Sequence, residues 1–297
     1  MAAVKSTAAL LLRRRSCLRS LRPFSFSSSS RCFGDDVDAG GDDRDLAIRK
    51  KREKMEMIRS GAKSPGKIRQ HVNPLSLKFQ RIPSPPDYAE MFARDDLPLH
   101  LDLGSGKGSW LCDIAKGRCE KNHLGIEIRE ALAARAQLLA SDAPNCAFLF
   151  GNVNVSIKAL LSQYPGTLDI VSINNPDPHF KKKHWKRRIV NRALVQDLAE
   201  FQPPGGILYI QSDIASLVDD MTSIITEQGL YKQVLRANEL RQELDPAVNM
   251  NAAEAEGIKC ANPFGFLTER EAHVLDTGGA VRRAAFHRTD ISHVEKL

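Results

Sequence analysis

The sequence predicts an α/β protein with a doubly wound, mostly parallel sheet and an antiparallel closing strand. Three observations predict it. From about residue 97, short apolar runs alternate with helical stretches, the pattern of βαβ units. A glycine-rich turn, Gly104-x-Gly106-x-Gly108, directly follows the first of those runs. At 297 residues the chain is long enough to bury a full core. No apolar run approaches the roughly 18 residues needed to span a bilayer, so no membrane role is expected.

The elements follow in chain order. "LPLHLDLG" (97–104) reads as the first strand and "SWLCDIAKGR" (109–118) as the helix after the glycine turn. "NHLGIEI" (122–128) is the second strand, and the Ala/Leu-rich "REALAARAQLLASDA" (129–143) is a helix. "CAFLFGNVN", "SIKALLSQY" and "LDIVSINN" give strand, helix, strand. "WKRRIVNRALVQDLAEF" (185–201) reads as one continuous helix, with Val190, Leu194, Leu198 and Phe201 as its sheet-facing stripe. "PPGGILYIQSD" is a strand, and "YKQVLRA" with "AVRRAAFHRTD" forms a closing antiparallel pair.

Charge divides the chain. The formal net charge is +7. Residues 1–34 carry seven Arg/Lys, no Asp or Glu, and the run "SFSSSS"; the rest of the chain balances at 36 basic against 36 acidic residues. An acid-free, Arg- and Ser-rich start has the composition of a transit peptide. We therefore expect residues 1–34 to be an organellar leader, with mitochondrion favoured and chloroplast the alternative. Residues 35–67 form a linker and basic arm, containing a charged helix over 46–59. Residues 44–81 hold twelve Lys/Arg against three Asp/Glu. The main domain is expected over 68–297. Of the six cysteines none stands in a CxxC pair, so zinc and a disulfide framework are not expected and no metal is assigned.

The glycine turn lets backbone N–H groups approach a ligand at a helix start. It is G-x-G-x-G, which departs from the dinucleotide fingerprint. Glu127 ends the second strand, 21 residues beyond Gly106, and is placed to accept ribose hydroxyls. Asn152 ends the third and would meet an adenine edge. Acid after strand two and amide after strand three make an S-adenosylmethionine pocket, with Asp102 facing the sulfonium and amino-acid end.

The fourth strand delivers "NNPDP" (174–178) to the same edge. Pro176 and Pro178 fix φ and hold Asp177 in one orientation. Seven of the fifteen residues after Asp177 are Lys or Arg. On a helix begun early enough, Lys181, Trp185, Arg188 and Arg192 would share a face. A Trp among cations can stack on a base while the cations take phosphates. This makes the segment a nucleic-acid surface beside a catalytic carboxylate.

"LDLGSGKG", "GIEI", "PDPHFKKKHWKRRIV", "QSD", "TERE" and the "RQHVNP" of 69–74 together resemble the TrmB family of tRNA (guanine-N7-)-methyltransferases, in an organelle-targeted, plant-like form. The resemblance runs from about residue 68 to the end. It implies a Rossmann-like class I methyltransferase fold, S-adenosyl-L-methionine as cofactor and tRNA as partner. The product would be 7-methylguanosine, in the variable loop by family habit. Gly104, Glu127, Ile128, Asn152 and Val153 would then hold the donor nucleoside, together with Asp102, Gly106, Asn174, Thr268, Glu269 and Arg270. Asp177 would be catalytic. Lys181, Asp213 and Glu271 would bind substrate, joined by Lys182, Lys183, Lys186, Arg187 and Arg188. Asn174 and Asn175 depart from the apolar or aromatic residues usual before Pro-Asp-Pro. A monomer or homodimer is expected, and a non-catalytic partner subunit stays open.

Three other readings stand beside this one. An amino-group N-methyltransferase is distantly suggested by "NPDP". An NAD-dependent oxidoreductase would use the same fold, but the third-position glycine of its fingerprint and a proton-relay Tyr/Lys or His are missing here. A noncatalytic RNA-binding module would keep the fold and lose the chemistry.

Overall fold

The computed structural model describes residues 71–234, 244 and 262–291. All belong to the unit Pro65–Leu297. The leader, the linker, most of the basic arm and the helix expected over 46–59 lie outside the described residues.

Seven strands form one sheet: β1 Leu99–Leu103, β2 Asn122–Glu127, β3 Cys146–Phe150, β4 Leu168–Asn174, β5 Ile207–Ser212, β6 Tyr231–Val234 and β7 Arg282–Arg288. Their spatial order is β3-β2-β1-β4-β5-β7-β6. The first five strands are parallel, and β7 runs antiparallel between β5 and β6. The expected closing pair is thus present, wedged so that β7 rather than β6 meets β5. The helices are α1 Tyr88–Met91, α2 Ser109–Gly117, α3 Glu130–Leu139, α4 Val153–Leu161, α5 Arg192–Phe201, α6 Ala215–Thr226 and α7 Glu269–Asp276.

The sheet is buried on both faces, as parallel sheets with crossover helices require. Successive strand residues take opposite sides. Val171 and Leu208 pack with Ile157, Leu194 and Leu217 of α4, α5 and α6. Ile170 and Tyr209 pack with Leu111, Ile114 and Ala136 of α2 and α3. The chain leaves β3 at one edge and re-enters as β4 beside β1. The crevice between β1 and β4 is therefore the switch point where ligands bind in such sheets.

One expected helix is corrected. Residues 185–201 are not continuous. Lys182–Arg187 make a 3-10 turn, Arg188 is extended, and α5 begins only at Arg192. Asn191 caps α5, its Oδ1 accepting from the Leu194 N–H at 3.0 Å. Asn is among the strongest N-cap residues, so it competes with the helical periodicity and wins. Val190 is buried but precedes the helix. The cationic helix face through Lys181, Trp185, Arg188 and Arg192 does not form.

Candidate active site

A cleft of about 800 Å³, part of it open to solvent, lies at the carboxyl ends of β1 to β4. Gly104, Glu127, Ile128, Asn152, Val153, Asn174, Asp177 and Arg187 line it. Gly104 and Gly106 have φ of +85° and +60°, and a Cβ on either would meet no atom within 4 Å. Their glycine requirement comes from the left-handed backbone, which leaves bare main chain facing open space.

The Glu127 carboxylate is buried and taken. Oε2 accepts from the Gly106 N–H at 2.8 Å, and Oε1 accepts from the Arg129 N–H and Nε–H at 2.9 and 2.8 Å. A further Arg129 N–H reaches Oε2 at 3.1 Å. This set matches a carboxylate's roughly four lone-pair sites. Glu127 fixes the glycine loop, and ribose hydroxyls would have to take over sites now held by Arg129.

Asp102 does not line the cleft. It is buried in β1, where Oδ1 accepts from Ser172 Oγ at 2.8 Å and Asn174 Nδ2 at 3.0 Å. Burial pushes its carboxyl up to about 7, against the lowering effect of those two hydrogen bonds. Behind it, His100 Nε2 lies 3.0 Å from Ser172 Oγ, and His123 Nδ1 lies 3.3 Å from His100 Nδ1. Asn174 is the group that reaches the cleft. With Nδ2 held by Asp102, its buried Oδ1 has no partner. The Nε of Arg187, also in the cleft wall, is likewise buried and unpaired. Such atoms ask for a ligand or water.

Asn152 does not offer its amide to the cleft. Nδ2 donates to the Pro74 and Phe79 carbonyls, both at 3.1 Å. It ties down the segment 71–79, whose Val72 and Pro74 line the cleft. His71 in that segment places Nδ1 3.0 Å from Asp177 Oδ1.

The Pro-Asp-Pro turn is flanked by two left-handed residues, Asn175 at φ +47° and His179 at φ +45°. Asn tolerates that conformation better than aromatic or branched residues, which suits Asn175 to its place in the turn; Asn174 ends β4. The Asn175 Oδ1 accepts from Gln211 Nε2 at 3.0 Å. Asp177 is 43% exposed in its side chain. Lys181, Lys182, Lys183 and Lys186 are exposed. Arg188 is not part of that wall: Nε donates to the Pro178 carbonyl at 2.9 Å and Nη1 pairs with Asp220 at 2.9 Å. Its guanidinium also lies 4.7 Å from the Trp185 ring centre. It braces the turn from below.

The "TERE" segment starts α7 and is largely structural. Thr268 is the N-cap, with Glu271 completing a capping box. Glu271 is 0% exposed. It accepts from Asn262 Nδ2 at 2.8 Å, the Thr268 N–H at 3.2 Å and Arg283 Nη2. A fully buried, fully paired carboxylate has nothing left for substrate, which corrects its expected binding role. Arg270 pairs with Asp213 at 2.5 Å, and Glu269 pairs with Lys107 of the glycine loop at 2.6 Å. None of Thr268, Glu269, Arg270 or Asp213 lines the cleft. Gln211, fully buried on β5, joins Asn175 to Thr268 and so couples the Pro-Asp-Pro turn to α7.

Sequence reasoning missed His71, Arg129 and Gln211. His71 stood inside a quoted motif without a role. Arg129 had a local signal, a cation two residues after a strand-end acid. Gln211 stood inside the quoted "QSD" without a role, because its partners lie 36 and 57 residues away.

A family described as "Putative methyltransferase" matches residues 96–282. A Prochlorococcus marinus (strain MIT 9313) protein named tRNA (guanine-N(7)-)-methyltransferase is 39% identical over 239 residues, covering 77% of this chain and 94% of that one. A Synechococcus sp. (strain JA-2-3B'a(2-13)) protein of the same name is 40% identical over 211 residues, covering 70% and 79%. Among solved structures, an antibiotic-related methyltransferase aligns at 14% identity with a TM-score of 0.43, covering 71% of this chain and 98% of that one.

Proposed function

Because the chain belongs to the family of tRNA (guanine-N(7)-)-methyltransferases, we propose that its target is a variable-loop guanosine of tRNA, presented to the cleft by the lysines after Asp177. The enzyme transfers a methyl group from S-adenosyl-L-methionine to N7 of guanosine in tRNA. Family membership sets aside the amino-group, oxidoreductase and noncatalytic readings.

The observation that carries the substrate reading is adjacency. One cleft runs from the glycine loop to Asp177, and the exposed lysines follow directly in sequence. The cleft suits the donor on its own chemistry. Open backbone at Gly104 and the unpaired Asn174 Oδ1 offer sites for a nucleoside bearing an amino acid, and Glu127 would join them where ribose hydroxyls displace Arg129. The donor supplies an electrophilic methyl on a sulfonium.

Guanine N7 has an in-plane lone pair and no proton to lose, so the chain need not provide a general base. Its task is approach and alignment, which supply much of the barrier reduction. Asp177 accepts hydrogen bonds from guanine N–H donors and balances the positive charge gained by the ring. Arg187, half-buried at the cleft wall, holds the RNA or the donor by its free Nε. The lysines take phosphates.

The expected address remains an organelle, mitochondrion before chloroplast, supported by the acid-free composition of residues 1–34. A chain beginning near Gly34 should retain full methyl transfer. The decisive test uses labelled donor with unmodified tRNA, digestion and nucleoside mass spectrometry, with the position mapped. Label on an exocyclic amine, or on a guanosine outside the variable loop, would overturn the finer reading.

A further inference from the structure

Phe180 is 74% exposed, three residues after Asp177. A single exposed apolar side chain is ordinary on a protein surface. Three features set this one apart. His179, immediately before it, is held at φ +45°, a left-handed turn conformation uncommon outside glycine. The same His179 lines the cleft, and its ring lies edge-on to His184 at 6.5 Å. One side chain is thus turned in and the next is thrown out, at the rim of the site. Finally, residues 178–192 contain no Asp or Glu, and the exposed Lys181, Lys182, Lys183 and Lys186 follow the ring in sequence.

An exposed ring among uncompensated cations fits a polyanion that carries flat, apolar faces. Nucleic acid has both, and base–aromatic stacking works for any base. Trp185 is less available for this task, because Arg188 already stacks on it. N7 faces the outside of a stacked base, yet the cleft lies below the protein surface, so the target guanosine must leave its stack to enter. Its departure exposes the face of a neighbouring base.

From the left-handed turn at His179 and the exposed ring beside the catalytic turn, we propose that Phe180 stacks on the nucleobase flanking the target guanosine, filling the place that the target vacates. This rests on the tRNA reading above and adds a positioning residue to it.

The test is a cycle between protein and RNA. Phe180→Ala, Phe180→Leu and Phe180→Trp are compared with wild type on intact tRNA. They are then compared on tRNAs made abasic at either nucleotide flanking the target. Phe180→Ala and Phe180→Leu should weaken tRNA binding about 5- to 150-fold, and Phe180→Trp should restore it. Removing one flanking base should weaken wild type to a similar degree and Phe180→Ala no further. Donor affinity should stay unchanged throughout. Fully additive losses, or a Leu variant equal to wild type, would overturn the proposal; in the second case the ring serves only as apolar bulk, as a protein contact would use it. Wild-type enzyme that leaves N7 unmethylated would sink the functional reading itself, and this proposal with it.

Discussion

His71 and Asp177, 106 residues apart in sequence, meet through a 3.0 Å contact between Nδ1 and Oδ1. The segment that Asn152 ties down therefore delivers a side chain onto the carboxylate assigned to guanine. Asp177→Asn keeps the shape and removes the charge. Donor and tRNA should still bind, while single-turnover methyl transfer falls sharply. Single-turnover transfer at the wild-type rate in Asp177→Asn would remove the carboxylate's charge from the chemistry.

The cations should separate into two kinds. Lys182, Lys183 and Lys186 are exposed, so neutralising them should flatten the slope of log affinity against log salt. The expected change is about 0.7 to 0.9 per lost phosphate contact. Arg187 lines the cleft with a buried Nε and should leave that slope nearly unchanged while lowering turnover. Equal slopes for the triple-lysine variant and wild type would remove the wall from RNA binding.

Glu271→Gln should act on stability. It keeps the shape and leaves Arg283, itself only 15% exposed, without its buried anion. Breaking one side of a buried pair costs about 3–5 kcal/mol. Thermal melting measures this, and tRNA affinity of the folded fraction should be unaltered. A variant that melts like wild type and binds tRNA poorly would restore Glu271 to the substrate site.

Asp102 and the two histidines behind it should pull stability in opposite directions with pH. Burial raises Asp102 from its ordinary 3.8 to about 7, so the folded state holds that proton more tightly. Its contribution is largest at low pH and declines as pH rises from about 4 to about 7. Burial lowers His123 from 6.5 to about 4 and moves His100 the same way. Their contribution is complete above about 6.5 and is lost as pH falls toward 4. In Asp102→Asn only the histidine trend remains, so stability should climb more steeply from pH 4 to 6.5 than in wild type. Urea unfolding across that range measures it, and matching slopes would contradict the assignment.

Asn175 tests the strain in the catalytic turn. Asn175→Ala loses both the tolerance of φ +47° and the bond from Gln211. The combined loss should be roughly 2 kcal/mol. Asn175→Gly loses only the bond and should cost about half as much. Equal destabilisation by Ala and Gly in urea unfolding would show that the left-handed backbone carries no penalty here.

The alternation of apolar runs and helical stretches was enough for the βα order, because strand and helix periodicities are local. The glycine turn, the acid ending β2 and the Pro-Asp-Pro turn were legible for the same reason, and all lie at the carboxyl edge of the sheet. Local reading failed at Asn191, where an N-cap interrupts an apparently continuous helix. It could not tell that Asn152 spends its amide on Pro74 and Phe79, that Arg129 occupies Glu127, or that Glu271 is sealed against Arg283. A polar residue at a strand end can face a ligand or satisfy the chain. Which it does depends on the buried donors and acceptors that folding brings near it, and each of those must find a partner. Sequence spacing determined which side chains arrive at the cleft; hydrogen-bond satisfaction across distant segments decided which of them remain free to use it.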